Sequence, residues 1–143
     1  MTKTHLQVAV IGASAAGLSC AQHLREQGCG VAMFDPAQGA TISDFWYDHG
    51  WRLVSREKGA HAERYDALVL ALPARESAAL LEPLLPMTAM RAFTMAPSAD
   101  HCIWIPAVQV GLCGDWLCGD GEKDASLSGR ALAARLLGER VAA

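Results

Sequence analysis

Two short turns, far apart in the chain, hold the residues best suited to chemistry. The first, Gly12-Ala13-Ser14-Ala15-Ala16-Gly17, follows the apolar run Gln7–Ile11 and precedes a helical pattern. A strand-to-helix turn of this kind presents unpaired N–H groups and partial positive charge, which favour an anion such as a pyrophosphate. Gly12 permits the tight turn and Gly17 permits close packing of helix on sheet. A dinucleotide fingerprint has a third glycine where Ser14 stands. The Ser14 hydroxyl has two possible uses, capping the helix or donating to a phosphate oxygen. Taken alone, the turn reads equally as a phosphate cradle or as a plain turn of small residues.

Two further features favour the cradle. Asp35 ends a second apolar run, Val31–Phe34, and is followed by Pro36. Its distance from Gly17 is close to the roughly 20-residue spacing of a ribose-binding carboxylate. No arginine follows Asp35 closely, which argues against a 2′-phosphate. The second turn is Gly114-Asp115, just past the apolar run Val108–Cys113 and before a C-terminal helical segment. A nicotinamide dinucleotide needs only the first turn. A longer cofactor with a ribityl chain needs a second contact, and Asp115 offers an acceptor for its hydroxyls.

These turns need a scaffold, and the remaining pattern supplies one. Strand, helix and strand within Gln7–Phe34 make a βαβ unit with a right-handed crossover. Leu18, Ala21, Leu24 and Arg25 follow helical spacing, with Gly28 as the stop. Residues 36–50 show no clear period and carry the aromatic run Phe45, Trp46 and Tyr47. From Trp51 the chain reads as a hairpin turning near Lys58-Gly59. The segment after Asp66 is a third buried strand, and Ala74–Leu85 a short helix. Residues 86–107 are poorly patterned, apart from a candidate edge strand around Ile103. Leu127, Ala131, Ala134 and Leu137 mark one face of a final helix, with Asp124 as its N-cap. The expected fold is a single α/β Rossmann-like domain over residues 1–143, three-layered, its sheet mainly parallel, with a small β-hairpin excursion.

Composition narrows the function classes. Apolar residues make up 52% of the 143 and charged residues 19%, with a net charge of −3. That is a folding composition with no basic field for nucleic acid or anionic lipid. No run of about 18 apolar residues suggests a membrane span, so a soluble, cytoplasmic protein is expected. The cysteines Cys20, Cys29, Cys102, Cys113 and Cys118 lack paired metal spacing and read mostly as small buried hydrophobes. His49 and His61 have no ligand partners at metal spacing, so no metal is expected. Ser14, Ser19 and Ser128 lie in no nucleophile elbow. Trp46, Tyr47, Trp51, Trp104 and Trp116 are able to stack on a flavin, although such residues more often fill core.

Three segments in order, VAVIGASAAGLSCAQHLREQGCGVAMFD, YDALVLALPARESAALL and GLCGDWLCGDGEKDASLSGRALAARLL, carry a resemblance. They resemble the cofactor-domain segments of bacterial renalase-like, FAD-dependent amine-oxidase-type proteins. The resemblance implies that Gly12, Ser14, Ala15, Ala16 and Gly17 meet the FAD diphosphate, and that Asp35 and Pro36 meet the adenosine ribose. It implies that Gly114 and Asp115 meet the diphosphate and ribityl region, with Trp116 and Ala125 beside the isoalloxazine. Such proteins oxidise dihydronicotinamides or amines and pass electrons to oxygen.

The chain also departs from that pattern. Family chains carry a substrate domain, which here is reduced to a loop and hairpin over residues 39–65 and to residues 86–107. An arginine–glycine pair and a later glycine–glycine–arginine motif are replaced by Gln38-Gly39 and ATISD, so a diphosphate-binding arginine is lost. The glutamate–glycine–alanine before the last helix reads Lys123-Asp124-Ala125. The implied function is a compact FAD-binding oxidoreductase-like protein with no identifiable catalytic residue. Two alternatives stand beside it: a non-catalytic or truncated remnant, and a binding module that completes its site with a partner or as a homodimer.

Overall fold

Valine-rich runs bounded by polar residues and glycine become the buried strands of a central sheet. The computed structural model describes residues 6–86, 101–118 and 125–142. In chain order the elements are β1 (Gln7–Ile11), α1 (Ala15–Glu26), β2 (Gly30–Phe34), β3 (Ile42–Tyr47), β4 (Trp51–Ser55) and β5 (Gly59–Ala60). There follow β6 (Ala67–Leu70), α2 (Ala74–Leu81), β7 (Ile103–Ile105), β8 (Val110–Leu112) and α3 (Ala125–Ala142). Short 3-10 turns occupy Pro36–Gln38 and Asp115–Leu117.

The main sheet has the order β2-β1-β6-β8-β7. Its first four strands are parallel, and β7 joins antiparallel at the edge, where the sequence places an edge strand. Strands β3, β4 and β5 form a separate antiparallel sheet. One face of the main sheet carries α1 and α3, packed through Val8, Val10, Cys20, Leu24, Leu132 and Leu136. The other face carries the small sheet and α2, packed through Ile11, Phe34, Phe45, Trp51, Leu53 and Leu81. The architecture is therefore a mixed α/β, three-layer, Rossmann-like fold with a mainly parallel sheet and a small hairpin sheet.

Three expectations need correction. Residues 42–47 are a strand, not a loop. A register shift between Ile42 and Asp44 breaks the alternation, so the buried residues are Ile42 and Phe45, three apart. A bulge of this kind hides a strand from a period-two search. The second helix ends at Leu81 rather than Leu85.

The faces of the outer helices also differ. Leu18 is 53% exposed and Leu127 38% exposed. The buried face of α1 is Ala16, Gly17, Cys20, Ala21 and Leu24. That of α3 is Ala125, Ser128, Gly129, Leu132, Ala133 and Leu136. Small residues bring these helices together. A Cβ on Gly129 would meet the Ala16 carbonyl oxygen and lie 2.9 Å from the Cys20 nitrogen. The expected cap at Asp124 and the neighbouring Lys123 lie outside the described residues.

Candidate functional site: a crevice at the strand order reversal

From β1 the chain passes through α1 to β2 on one side, whereas β6 lies on the other side of β1. Ligands of open α/β sheets bind at such a reversal, outside the carboxyl ends of the strands. Here those ends are closely tied. Gly12 N–H donates to the Phe34 carbonyl at 2.8 Å, Ala71 N–H to Ile11 at 2.8 Å, and Cys113 N–H to Leu70 at 3.0 Å.

Ser14 resolves the choice posed by its hydroxyl. It is the N-cap of α1: Oγ accepts from Gly17 N–H at 3.3 Å and donates to the Ala71 carbonyl at 2.9 Å. The hydroxyl is thus committed to the scaffold, joining the first turn to the end of β6. The first-turn N–H groups of Ala15 and Ala16 have no acceptor within the helix and remain as donors for an anion. Ser14→Ala is expected to lower stability by about 1–2 kcal/mol, because it removes a cap and leaves the Ala71 carbonyl without its donor. Ser14→Gly restores the glycine pattern without restoring that donor. Denaturant titration of both variants beside the parent checks the pair.

Asp35 is similarly engaged. Its Oδ1 accepts from Ala13 N–H at 3.1 Å and its Oδ2 from Ala37 N–H at 3.0 Å. The carboxylate thereby fastens the first turn to the loop after β2. Each oxygen accepts one of these bonds and retains a further lone pair for a ligand hydroxyl.

The second turn is held from below by a buried serine. Ser128 is fully buried; its Oγ accepts from Gly114 N–H at 2.9 Å and donates to the His101 carbonyl at 2.6 Å. Ser19 Oγ donates to the Ser126 carbonyl at 2.9 Å, binding α1 to the first turn of α3. Trp116 leans across the crevice and its Nε1 donates to the Leu72 carbonyl at 3.4 Å.

A cavity of about 510 Å³ opens between these turns. Ser14, Ala15, Ala16, Gly114, Asp115, Trp116 and Ala125 line it, together with Ala71, Leu72 and Pro73. Seven of the residues singled out from the sequence therefore meet in one place. Pro36 lines a second cavity of about 290 Å³, and Leu72 lines both. Gly12, Gly17 and Asp35 line neither and shape the turns instead. Sequence reasoning missed Ala71, Leu72 and Pro73, although their place just past a buried strand was a usable signal.

Other candidates take structural places. Trp51 and Trp104 are buried, whereas Trp46 and Tyr47 lie exposed on the outer sheet. Arg52 sits 5.3 Å from the Trp46 ring centroid. His49 is a surface residue beside Asp48, and His61 meets Ser55 Oγ at 2.9 Å. Cys20, Cys102 and Cys113 are buried, Cys29 and Cys118 half-buried, and no disulfide forms. A hydrogen bond with Cys20, followed by complete burial, pushes the Cys113 thiol well up and keeps it protonated. Among the described residues no group of three or more His, Cys, Asp or Glu is arranged to hold a metal. No described helix is long and apolar enough to cross a membrane.

Comparison with known proteins agrees with this geometry. No curated protein matches the chain. Residues 10–66 match the family model of the NAD(P)-binding Rossmann-like domain, a span running from β1 through the small antiparallel sheet to the threshold of β6. Fold and match together make this a Rossmann-like, dinucleotide-binding fold of the oxidoreductase type.

Proposed function

We propose that the chain binds FAD and serves as a compact flavin-dependent oxidoreductase, acting on a dihydronicotinamide or an amine. One observation carries the reading: two separate turns at strand ends, the first through Ser14–Ala16 and the second through Gly114–Trp116, border the same crevice. A nicotinamide dinucleotide requires only the first. The second adds an exposed carboxylate, Asp115, as an acceptor for ribityl hydroxyls, and an indole, Trp116, beside them.

The residues fit the group. Gly12 carries no Cβ to crowd the turn, and the amides of Ala15 and Ala16 supply donors for a diphosphate. Asp35 keeps acceptor capacity for a ribose. Bound flavin would supply the hydride and electron chemistry. The chain's own contribution is to bind and orient, since Asp115 is the one titratable residue among the described residues lining the larger cavity.

Purification and flavin absorbance test the reading directly. A yellow protein, or a colourless one that takes up added FAD stoichiometrically, is expected. A preparation that neither holds nor acquires FAD overturns it. Anaerobic mixing of the loaded protein with NADH, NADPH and simple amines then separates enzyme from carrier, because an enzyme bleaches the flavin. Light scattering across a concentration series tests the homodimer alternative.

A further inference from the structure

The crevice has a charge problem. A dinucleotide brings a diphosphate with two negative charges, and the described side chains bordering the larger cavity supply no cation. Asp115 lies there, Asp35 stands behind the first turn, and Glu76 lines the adjoining cavity. Helix N-termini offset part of this repulsion, each with about half a unit charge. The loop after β2, which begins at Asp35 and Pro36, contains no arginine or lysine before β3.

The smaller cavity contains the missing charge. Arg56 lines it together with Ile11, Pro36 and Leu72, residues that adjoin the glycine turn, Asp35 and the larger cavity. Among the described residues lining either cavity, Arg56 is the only cationic side chain. It lies on the turn between β4 and β5, far from the glycine turn in sequence.

That turn is fixed in place. Arg56 N–H donates to the Thr41 carbonyl at 2.9 Å. Thr41 in return donates to Glu57, through its N–H at 2.7 Å and its Oγ1 at 2.8 Å. The Thr41 bonds, backbone first, hold the Glu57 carboxyl below its usual range, so the clamp is charged and intact near neutrality. The backbone of Arg56 is thereby pinned at the cavity, while its guanidinium has no hydrogen bond or ion pair among the described residues.

We infer that Arg56 is the cationic contact for the phosphates of the bound dinucleotide, delivered by the small antiparallel sheet instead of by the loop after β2. The inference rests on the dinucleotide reading of the crevice and adds to it the residue that balances the ligand charge. A guanidinium forms paired hydrogen bonds to phosphate oxygens, a geometry that an ammonium group does not reproduce. This gives the three-stranded sheet a binding role besides its packing role.

The test is calorimetric titration of FAD, ADP and adenosine into the parent, Arg56→Ala and Lys58→Ala, with thermal midpoints recorded for each. Lys58→Ala removes the same charge from the same turn without touching the cavity lining. Arg56→Ala is expected to weaken ADP and FAD about 10-fold. Adenosine affinity and thermal midpoint should stay unchanged, and Lys58→Ala should bind as the parent does. The salt dependence of ADP binding should also flatten in Arg56→Ala. Unchanged ADP binding by Arg56→Ala overturns the inference alone, as does an equal loss for adenosine or for Lys58→Ala. A parent protein that binds neither FAD nor ADP overturns the dinucleotide reading and this inference with it.

Discussion

Trp51→Ala is expected to destabilise the protein by about 3–5 kcal/mol, a large share of the 5–15 kcal/mol typical of a folded domain. Trp51 is only 2% exposed, and its ring meets Phe45 and Tyr47 edge-on at centroid distances of 5.6 and 5.4 Å. Its Nε1 donates to the Val108 carbonyl at 2.9 Å, so one side chain joins the small sheet to the approach to β8. Truncation opens a cavity and removes that bond together. Trp51→Phe retains most of the packing but leaves the Val108 carbonyl without its donor, an expected cost of about 1–3 kcal/mol. Urea unfolding measures both. A loss below about 1 kcal/mol for the alanine variant would mean that the small sheet does not dock through this ring.

Gly12→Val is the second large effect, and it should strike folding and binding at once. Gly12 has a φ of +108°, a conformation that a β-branched residue does not adopt without strain of about 1–3 kcal/mol. A Cβ there would also run into the Ala71 carbonyl oxygen and lie 3.0 Å from Leu72 Cδ2. Ala71 and Leu72 line the larger cavity, so relieving the clash moves the cavity wall. The variant is expected to lose measurable FAD uptake and to melt several degrees below the parent. Uptake at parental affinity would show that the first turn does not hold the phosphates. Scanning calorimetry with and without FAD reads both quantities in one experiment.

The central sheet was legible because its strands are fully buried and therefore read as unbroken apolar runs such as Val8–Ile11 and Ala67–Leu70. The two turns beside the crevice were legible for the related reason that glycine, or glycine with aspartate, ends an apolar run. Strand β3 was not, because its bulge places Ile42 and Phe45 on one face at an irregular spacing. The helix faces misled for a different reason. Where α1 meets α3, Gly129 lies against the backbone of Ala16 and Cys20, and its missing side chain allows that close approach while adding nothing to an apolar pattern. The greasier Leu18 and Leu127 were left outside. Of the candidate site, residues at strand ends were found by type and spacing. Arg56 escaped because only the fold of the small sheet brings it to the cavity that adjoins the crevice.

The Ser128 hydroxyl ties the amide of Gly114 to a helix whose first turn lies beside the crevice. That amide can trade its proton with solvent only when α3 lifts from the sheet, so its exchange rate is a clock for helix departure. A ligand spanning both turns would slow the clock by the free energy with which it prefers the docked state. The same hydroxyl therefore makes the end of β8 and the last helix one cooperative unit, opening and closing together.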